Sequence, residues 1–236
     1  MPLRLAAPSC VVPDRIGPNC LALAPLVGEV ALMLLETGGC LDYDETDLPP
    51  HLAALGLSFH VHLPLDLPWE AGAVAVDRAI RGLESKIAFL GPREYVLHPP
   101  APGRLSELLR IRPDLAARLC LENTGQSDLH EIWPEIQNLD LGVCLDLGHL
   151  VSYGQQASLA LPGLLERVRV VHVYGGESPR GHAALRHLPD PGLLRNILRQ
   201  VREDAVLVVE VFDMAGLQSS LALLKTWLRE WGMAHD

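Results

Sequence analysis

LCLENTG, residues 119–125, is a short apolar run that ends on an acid, Glu122, and then turns. A glutamate that closes such a run is rarely buried unless it is paired or bound to a metal. The same pattern recurs on both sides of it: FHVHLP (59–64, His62), YVLHPP (95–100, His98), VCLDLGH (143–149, Asp146 and His149), VRVVHVYG (168–175, His172) and VLVVEVFD (206–213, Glu210). A strand that finishes on His, Asp or Glu projects that side chain from the carboxyl edge of its sheet. Six such strands bring their ligands to one point only if the sheet closes. That geometry is a parallel barrel with a metal site at its C-terminal mouth.

Strand-like runs fall at 3–7, 30–35, 57–62, 94–98, 118–122, 142–146, 167–174 and 205–211. Helix-like segments lie between them at 71–89, 103–110, 158–167, 191–203 and 217–231, with abbreviated helices expected in 19–26 and 123–138. Eight strands alternating with helices give an α/β fold with a parallel sheet, and the near-continuous apolar strands suit a sheet buried on both faces. The expectation is a (β/α)8 TIM barrel forming a single domain over 1–236. A doubly wound open sheet is the structural alternative, but ligands spread over six strands would not meet in one. The segment 175–191 (GGESPRGHAALRHLPDP) is long, polar and without regular pattern, the kind of βα loop that carries function in a barrel.

At 236 residues, 49% of them hydrophobic and 20% charged, the chain has an ordinary globular composition. Its net charge of −10 and only two lysines, Lys86 and Lys225, argue against a nucleic-acid backbone as partner. Five cysteines, odd in number and without a CxxC pair, are expected to be reduced thiols, Cys120 and Cys144 within core strands. No secretory leader pattern opens the chain, and the apolar stretch 21–35 is interrupted by Pro25 and Glu29 and too short to span a membrane. A soluble cytoplasmic protein without a membrane partner is the expectation.

Imidazoles mixed with carboxylates suit Zn²⁺, Mn²⁺, Fe²⁺ or Co²⁺ and disfavour Ca²⁺ or Mg²⁺ alone. Seven candidates (His62, His98, Glu122, Asp146, His149, His172 and Glu210) exceed what one ion takes, so more than one ion is expected, with Zn²⁺ or Mn²⁺ foremost. His60 is expected to face the opposite side from His62 and is left out of the ligand set.

The series HLP, HPP, LENTGQ, LDLGH, VVHVYG and VVEVFD resembles the apurinic-endonuclease type 2 and xylose-isomerase-like TIM-barrel superfamily over almost the whole chain. In its hydrolase branch the resemblance implies one metal on His62, His98 and Glu122. Glu122 would bridge to a second ion completed by Asp146, His172 and Glu210, and His149 would serve a third with an Asp-x-His pair from the loop after the seventh strand. The chain departs from that pattern in the loop. Aligning His187 puts Leu185 where the aspartate belongs, and aligning His182 puts Gly181 beside it, so that Asp190 or Glu177 would substitute only if the loop is rearranged. The third ion therefore hangs on that loop, with His182 or His187 joining His149.

Two function classes follow from the resemblance. An isomerase or epimerase needs one metal on Glu122, Asp146, His172 and Glu210, with Glu122 and Glu210 moving protons. A hydrolase needs the additional His62 and His98, each followed closely by proline, and the hydrolase is preferred. The opening LRLAAPS and HVHLPLDLPW (60–69) resemble the cobamide-remodelling phosphodiesterases, which implies a corrinoid phosphodiester as a small-molecule substrate. Glu122, Glu210 and His149 are the catalytic candidates. Arg180 and Arg186 are candidates to neutralise phosphate, and Trp69 and Tyr174 to line the mouth for a flat base or macrocycle.

Overall fold

The computed structural model describes residues 2–179 and 181–236. Its strands are β1 (Arg4–Pro8), β2 (Glu29–Met33), β3 (Ser58–His62), β4 (Tyr95–Leu97), β5 (Leu119–Glu122), β6 (Gly142–Asp146), β7 (Val168–Val173), β8 (Glu177–Ser178), β9 (Gly181–His182) and β10 (Val206–Val209). Eight of them close into a parallel barrel in the order β1-β10-β7-β6-β5-β4-β3-β2. The helices are α1 (Ile16–Leu23), α2 (Thr37–Leu41), α3 (Ala73–Ile87), α4 (Arg104–Ile111), α5 (Leu129–Asn138), α6 (Leu147–Ser152), α7 (Leu164–Arg167), α8 (Pro191–Leu198) and α9 (Met214–Glu230). The chain is a (β/α)8 barrel.

Each barrel strand is buried on both faces, and its period of two sorts the side chains. Leu5, Val30, Leu32, Phe59, Val61, Leu97, Leu121, Val143, Val171 and Leu207 face outward into the shell of helices. Ala6, Ala31, Val96, Cys120, Cys144, Val170, Val206 and Val208 fill the lumen. The lumen residues are small because an eight-stranded barrel has room for little more. The helices answer with apolar stripes: α3 buries Val76, Ala79, Ile80, Leu83 and Ile87, a 3.6-residue period. Asp128 and Asp213 cap α5 and α9 by accepting from Glu131 N and Gly216 N.

Two segments differ from expectation. The loop 175–191 is structured: β8 and β9 form an antiparallel hairpin, followed by a 3-10 turn at Leu185–His187. Pro179 and Gly181 are turn residues, and they allow that reversal. The helix expected over 158–167 is instead a 3-10 turn (Gln156–Ala160) and the single turn α7, because Pro162 and Gly163 interrupt it. Among the described residues no helix is long and apolar enough to cross a membrane.

Candidate metal centre

Strand register gathers the ligands. Asp146 lies beside His172, and Glu122 beside Cys144 in the next strand, so the ends of β5, β6 and β7 present Glu122, Asp146 and His172 side by side. Glu210, one residue beyond β10, and His62, the last residue of β3, close the ring, and His98 follows β4. Every inward position is two residues from the next, which is why each ligand shares parity with the lumen residues below it.

Glu122 sits at the centre and faces two groups. Its Oε2 is 3.2 Å from His62 Nε2 and 3.4 Å from His98 Nε2. Its Oε1 is 3.2 Å from His172 Nδ1, which also lies 3.2 Å from Glu210 Oε2 and 3.7 Å from Asp146 Oδ2. The ligand atoms of His62, His98 and Glu122, and separately those of Glu122, Asp146, His172 and Glu210, lie within 4.8 Å of one another.

A third group forms where the hairpin folds over the mouth. Glu177 pairs with His182 across β8 and β9, and Glu177 Oε1 lies 3.3 Å from His182 Nε2 and 3.2 Å from His149 Nε2. The acid absent from the loop's sequence pattern is thus supplied by a residue five positions upstream, through hairpin pairing. His182 belongs to the site, whereas His187 is exposed on the Leu185–His187 turn and does not.

The donor set fits divalent metal. Carbonyl oxygens only accept, so the Nδ1 of His62 donates to Leu63 O (3.0 Å), that of His149 to Asn123 O (2.9 Å) and that of His182 to Glu210 O (2.9 Å). Each contact fixes the proton on Nδ1 and leaves Nε2 aimed at a carboxylate, the arrangement that orients metal-ligating histidines. Asp146 uses Oδ1 to cap α6, accepting from His149 N at 2.6 Å, while its buried Oδ2 has no hydrogen-bond partner. Asn123 ties the two acidic strand ends together: it accepts from Asp146 N (2.8 Å), donates to Asp146 O (2.9 Å) and to Gln155 Oε1 (3.1 Å).

Without a fixed cation the carboxylates lean on imidazolium. Burial opposes ionisation of Glu122, but the charge of His172 and hydrogen bonds from His172, His62 and His98 hold it well below its ordinary value. Glu210 is likewise brought down to about 2 against burial by His172. Asp146 is pushed up to about 6, chiefly by burial and then by the charge of Glu122. Burial disfavours charged His172 and His62 as well, yet the surrounding acids raise both, His172 well above its ordinary range.

Other sequence candidates fall elsewhere. His60 does not face away from His62; residues two apart on a strand share a face. It lies in the lumen below, its Nδ1 2.7 Å from Glu29 Oε1, too low to join the mouth ligands. Tyr174 is fully buried and does not line the mouth. It stacks on His182 with ring centroids 3.7 Å apart and donates to Glu177 Oε1 at 3.0 Å, propping the third group from below. Gly148 is glycine because a Cβ there would strike the Tyr174 ring. Trp69 packs partly buried against the core, and Arg186 is exposed; neither is among the residues lining the mouth. Arg180 lies outside the described residues. The sequence reading missed the rim itself, Met33, Leu35, Leu65 and Phe212 around a cavity of about 460 Å³, because rim residues carry no chemical signature.

No protein-family model and no curated protein matches the sequence. The fold is similar to that of a D-tagatose 3-epimerase-like protein, with a TM-score of 0.70 and 17% identity over 98% of both chains. It is similar to the IOLI protein with a bound zinc atom, with a TM-score of 0.72 and 13% identity over 97% of this chain and 98% of that one. The TTHB071 protein from Thermus thermophilus, soaked with ZnCl2, superposes with a TM-score of 0.61 and 21% identity over 98% of this chain and 99% of that one. At such identities the likeness is one of fold: a (β/α)8 barrel along nearly the full length of the chain.

Proposed function

We propose that the protein is a metal-dependent phosphodiesterase, and that its substrate is the phosphoribosyl linkage in the nucleotide loop of a cobamide. The observation that carries the hydrolase reading is the bridging position of Glu122. One carboxylate oxygen faces the His62 and His98 imidazoles and the other faces His172. A carboxylate shared in this way suits two ions side by side, and a one-metal isomerase would have no use for His62 and His98 together on its far side.

His62, His98 and Glu122 would hold one divalent ion, and Glu122, Asp146, His172 and Glu210 the other. Zn²⁺ or Mn²⁺ bound there supplies Lewis-acid polarisation of the phosphate oxygens and easier deprotonation of an attacking water. Glu122 orients both ligand groups, and Glu210 stands beside His172 as the carboxylate available to take the water's proton. His149, whose Nε2 faces Glu177 Oε1, would hold a third ion with Glu177 and His182 or donate a hydrogen bond to a phosphate oxygen. No Arg or Lys lines the mouth among the described residues, so charge on a phosphate must be met by metal.

The test is mass spectrometry of a cobamide incubated with Zn²⁺- or Mn²⁺-loaded protein. A base-containing riboside fragment with the matching truncated corrinoid supports the reaction, and the masses identify the bond cut. An intact cobamide, together with solvent deuterium entering a ketose, would replace this reading by sugar epimerisation, the function that the D-tagatose 3-epimerase-like neighbour makes the main rival.

A further inference from the structure

A second cavity adjoins the mouth. This lateral cavity, about 580 Å³, lies between the loops that follow β1 and β2, and Cys10, Met33 and Leu35 line both it and the mouth. Those three residues form an apolar ledge from the metal ligands into the lateral space. Leu35 is 43% exposed on that ledge, a large aliphatic side chain left in contact with water at the junction of two cavities.

The far wall is different. Asp14, Glu36 and Asp47 line it, and the cation among the lining residues, Arg15, has its Nε 3.4 Å from Asp47 Oδ1. Three acids against one engaged arginine repel an anion and accept hydrogen bonds from uncharged or cationic donors. A phosphate therefore belongs at the metal ligands, and what extends sideways must not be anionic. A free monosaccharide would occupy the mouth and leave the lateral cavity unused.

We infer that the lateral cavity is a subsite for the non-reacting part of the substrate: a group with an apolar face for Cys10, Met33 and Leu35 and an edge of amide or hydroxyl donors for Asp14, Glu36 and Asp47. The inference rests on the phosphodiesterase reading for its view of which part reacts. Remote contacts of this kind hold a substrate so that its reacting bond is placed over the catalytic groups.

Gly39 gives a clean probe. It lines the lateral cavity, and a Cβ built on it meets only Glu36 Oε2, at 3.9 Å, so Gly39→Phe adds bulk at the cavity wall from a position with room for a Cβ. Its neighbour Gly38 has open space around its Cβ and does not line the cavity, so Gly38→Phe adds the same bulk outside it. The ligand to titrate is dicyanocobinamide, a ring edged with amides that lacks the nucleotide and its phosphodiester, and the readout is equilibrium binding by calorimetry. Expected is binding by the wild type, weakened at least about tenfold by Gly39→Phe and unchanged by Gly38→Phe. Glu36→Lys, an exposed change that does not depend on Gly39 tolerating bulk, should weaken it by roughly fivefold. Absence of wild-type binding, or equal binding by wild type, Gly39→Phe and Glu36→Lys, overturns the subsite. Hydrolysis of bis(4-nitrophenyl) phosphate by the Mn²⁺-loaded wild type reports separately on the reaction. Its absence alongside Gly39-dependent cobinamide binding would sink the phosphodiesterase and keep the subsite.

Discussion

The barrel buries carboxylates at both ends of its lumen and neutralises them by different means. At the N-terminal end Glu29 is 1% exposed, and every oxygen is met from within the chain. Arg4 Nη1 donates to Oε2 at 2.7 Å, Ser58 Oγ donates to Oε2 at 2.7 Å, and His60 Nδ1 lies 2.7 Å from Oε1. At the C-terminal end Glu122, Asp146 and Glu210 are buried together, and the side chains paired with them are imidazoles. One end carries a permanent guanidinium and meets both oxygens of its carboxylate. The other carries groups that gain or lose protons and leaves Asp146 Oδ2 without a hydrogen-bond partner. A buried charge that the chain does not neutralise itself costs several kcal/mol. The open end is therefore the one whose buried carboxylates a bound cation would stabilise.

The sharpest way to break this contrast is Glu122→Gln. It should reduce turnover by about 10³-fold or more, with bound metal falling from at least two ions to at most one by elemental analysis. Wild-type turnover and metal content in that variant would remove the bridging role on which the two-ion assignment depends.

Arg4→Met tests the opposite end. It strands the Glu29 carboxylate and should cost about 3–5 kcal/mol, a drop in Tm of roughly 10 °C, with metal content unchanged. Metal loss in this variant would mean that the two ends are not separable.

Chelation should act on the other end alone. Removing metal is expected to lower the wild-type Tm by about 5–10 °C, and Arg4→Met should show the same increment.

The ends should also differ with pH. Burial raises the Glu29 pKa, but His60, Ser58 and Arg4 together bring it down to about 2 from 4.5. Its folded value lies below its unfolded one, so the stabilisation, about 3 kcal/mol, is full above the unfolded value and is lost as pH falls toward the folded one. Denaturant titration of wild type and Glu29→Gln should converge at that acid limit and separate above it. Asp146, pushed up to about 6, has the opposite sign: its ionisation weakens the metal-free fold as pH rises through that value. Asp146→Asn in metal-free protein at pH 8 should therefore raise Tm by ~3 °C, the smallest of these effects, whereas a fall would show Asp146 to be satisfied without metal.

Much of this was legible before any coordinates. Eight apolar runs, six of them ending on His, Asp or Glu, predict the barrel because strand alternation is local and the βαβ repeat leaves few topologies. His62, His98, Glu122, Asp146, His172 and Glu210 were visible as a set because each lies at, or within one residue of, the end of its own apolar strand. His60 was legible too, and strand parity puts it on the face of His62, not opposite it. Helix ends were less legible, since Pro162 and Gly163 break a segment whose composition favours a helix.

By itself, then, the sequence determined which residues end each strand and what chemistry they bring, since both follow from neighbours along the chain. The tertiary structure decided which of those groups meet. Hairpin pairing delivers Glu177 to His149 and His182, register places Asp146 beside His172, and the pairing of β1 with β2 brings Arg4 onto Glu29 across 25 residues of chain. The apolar ledge joining two cavities was also decided there, because a cavity is a property of the space between elements and no single segment encodes it.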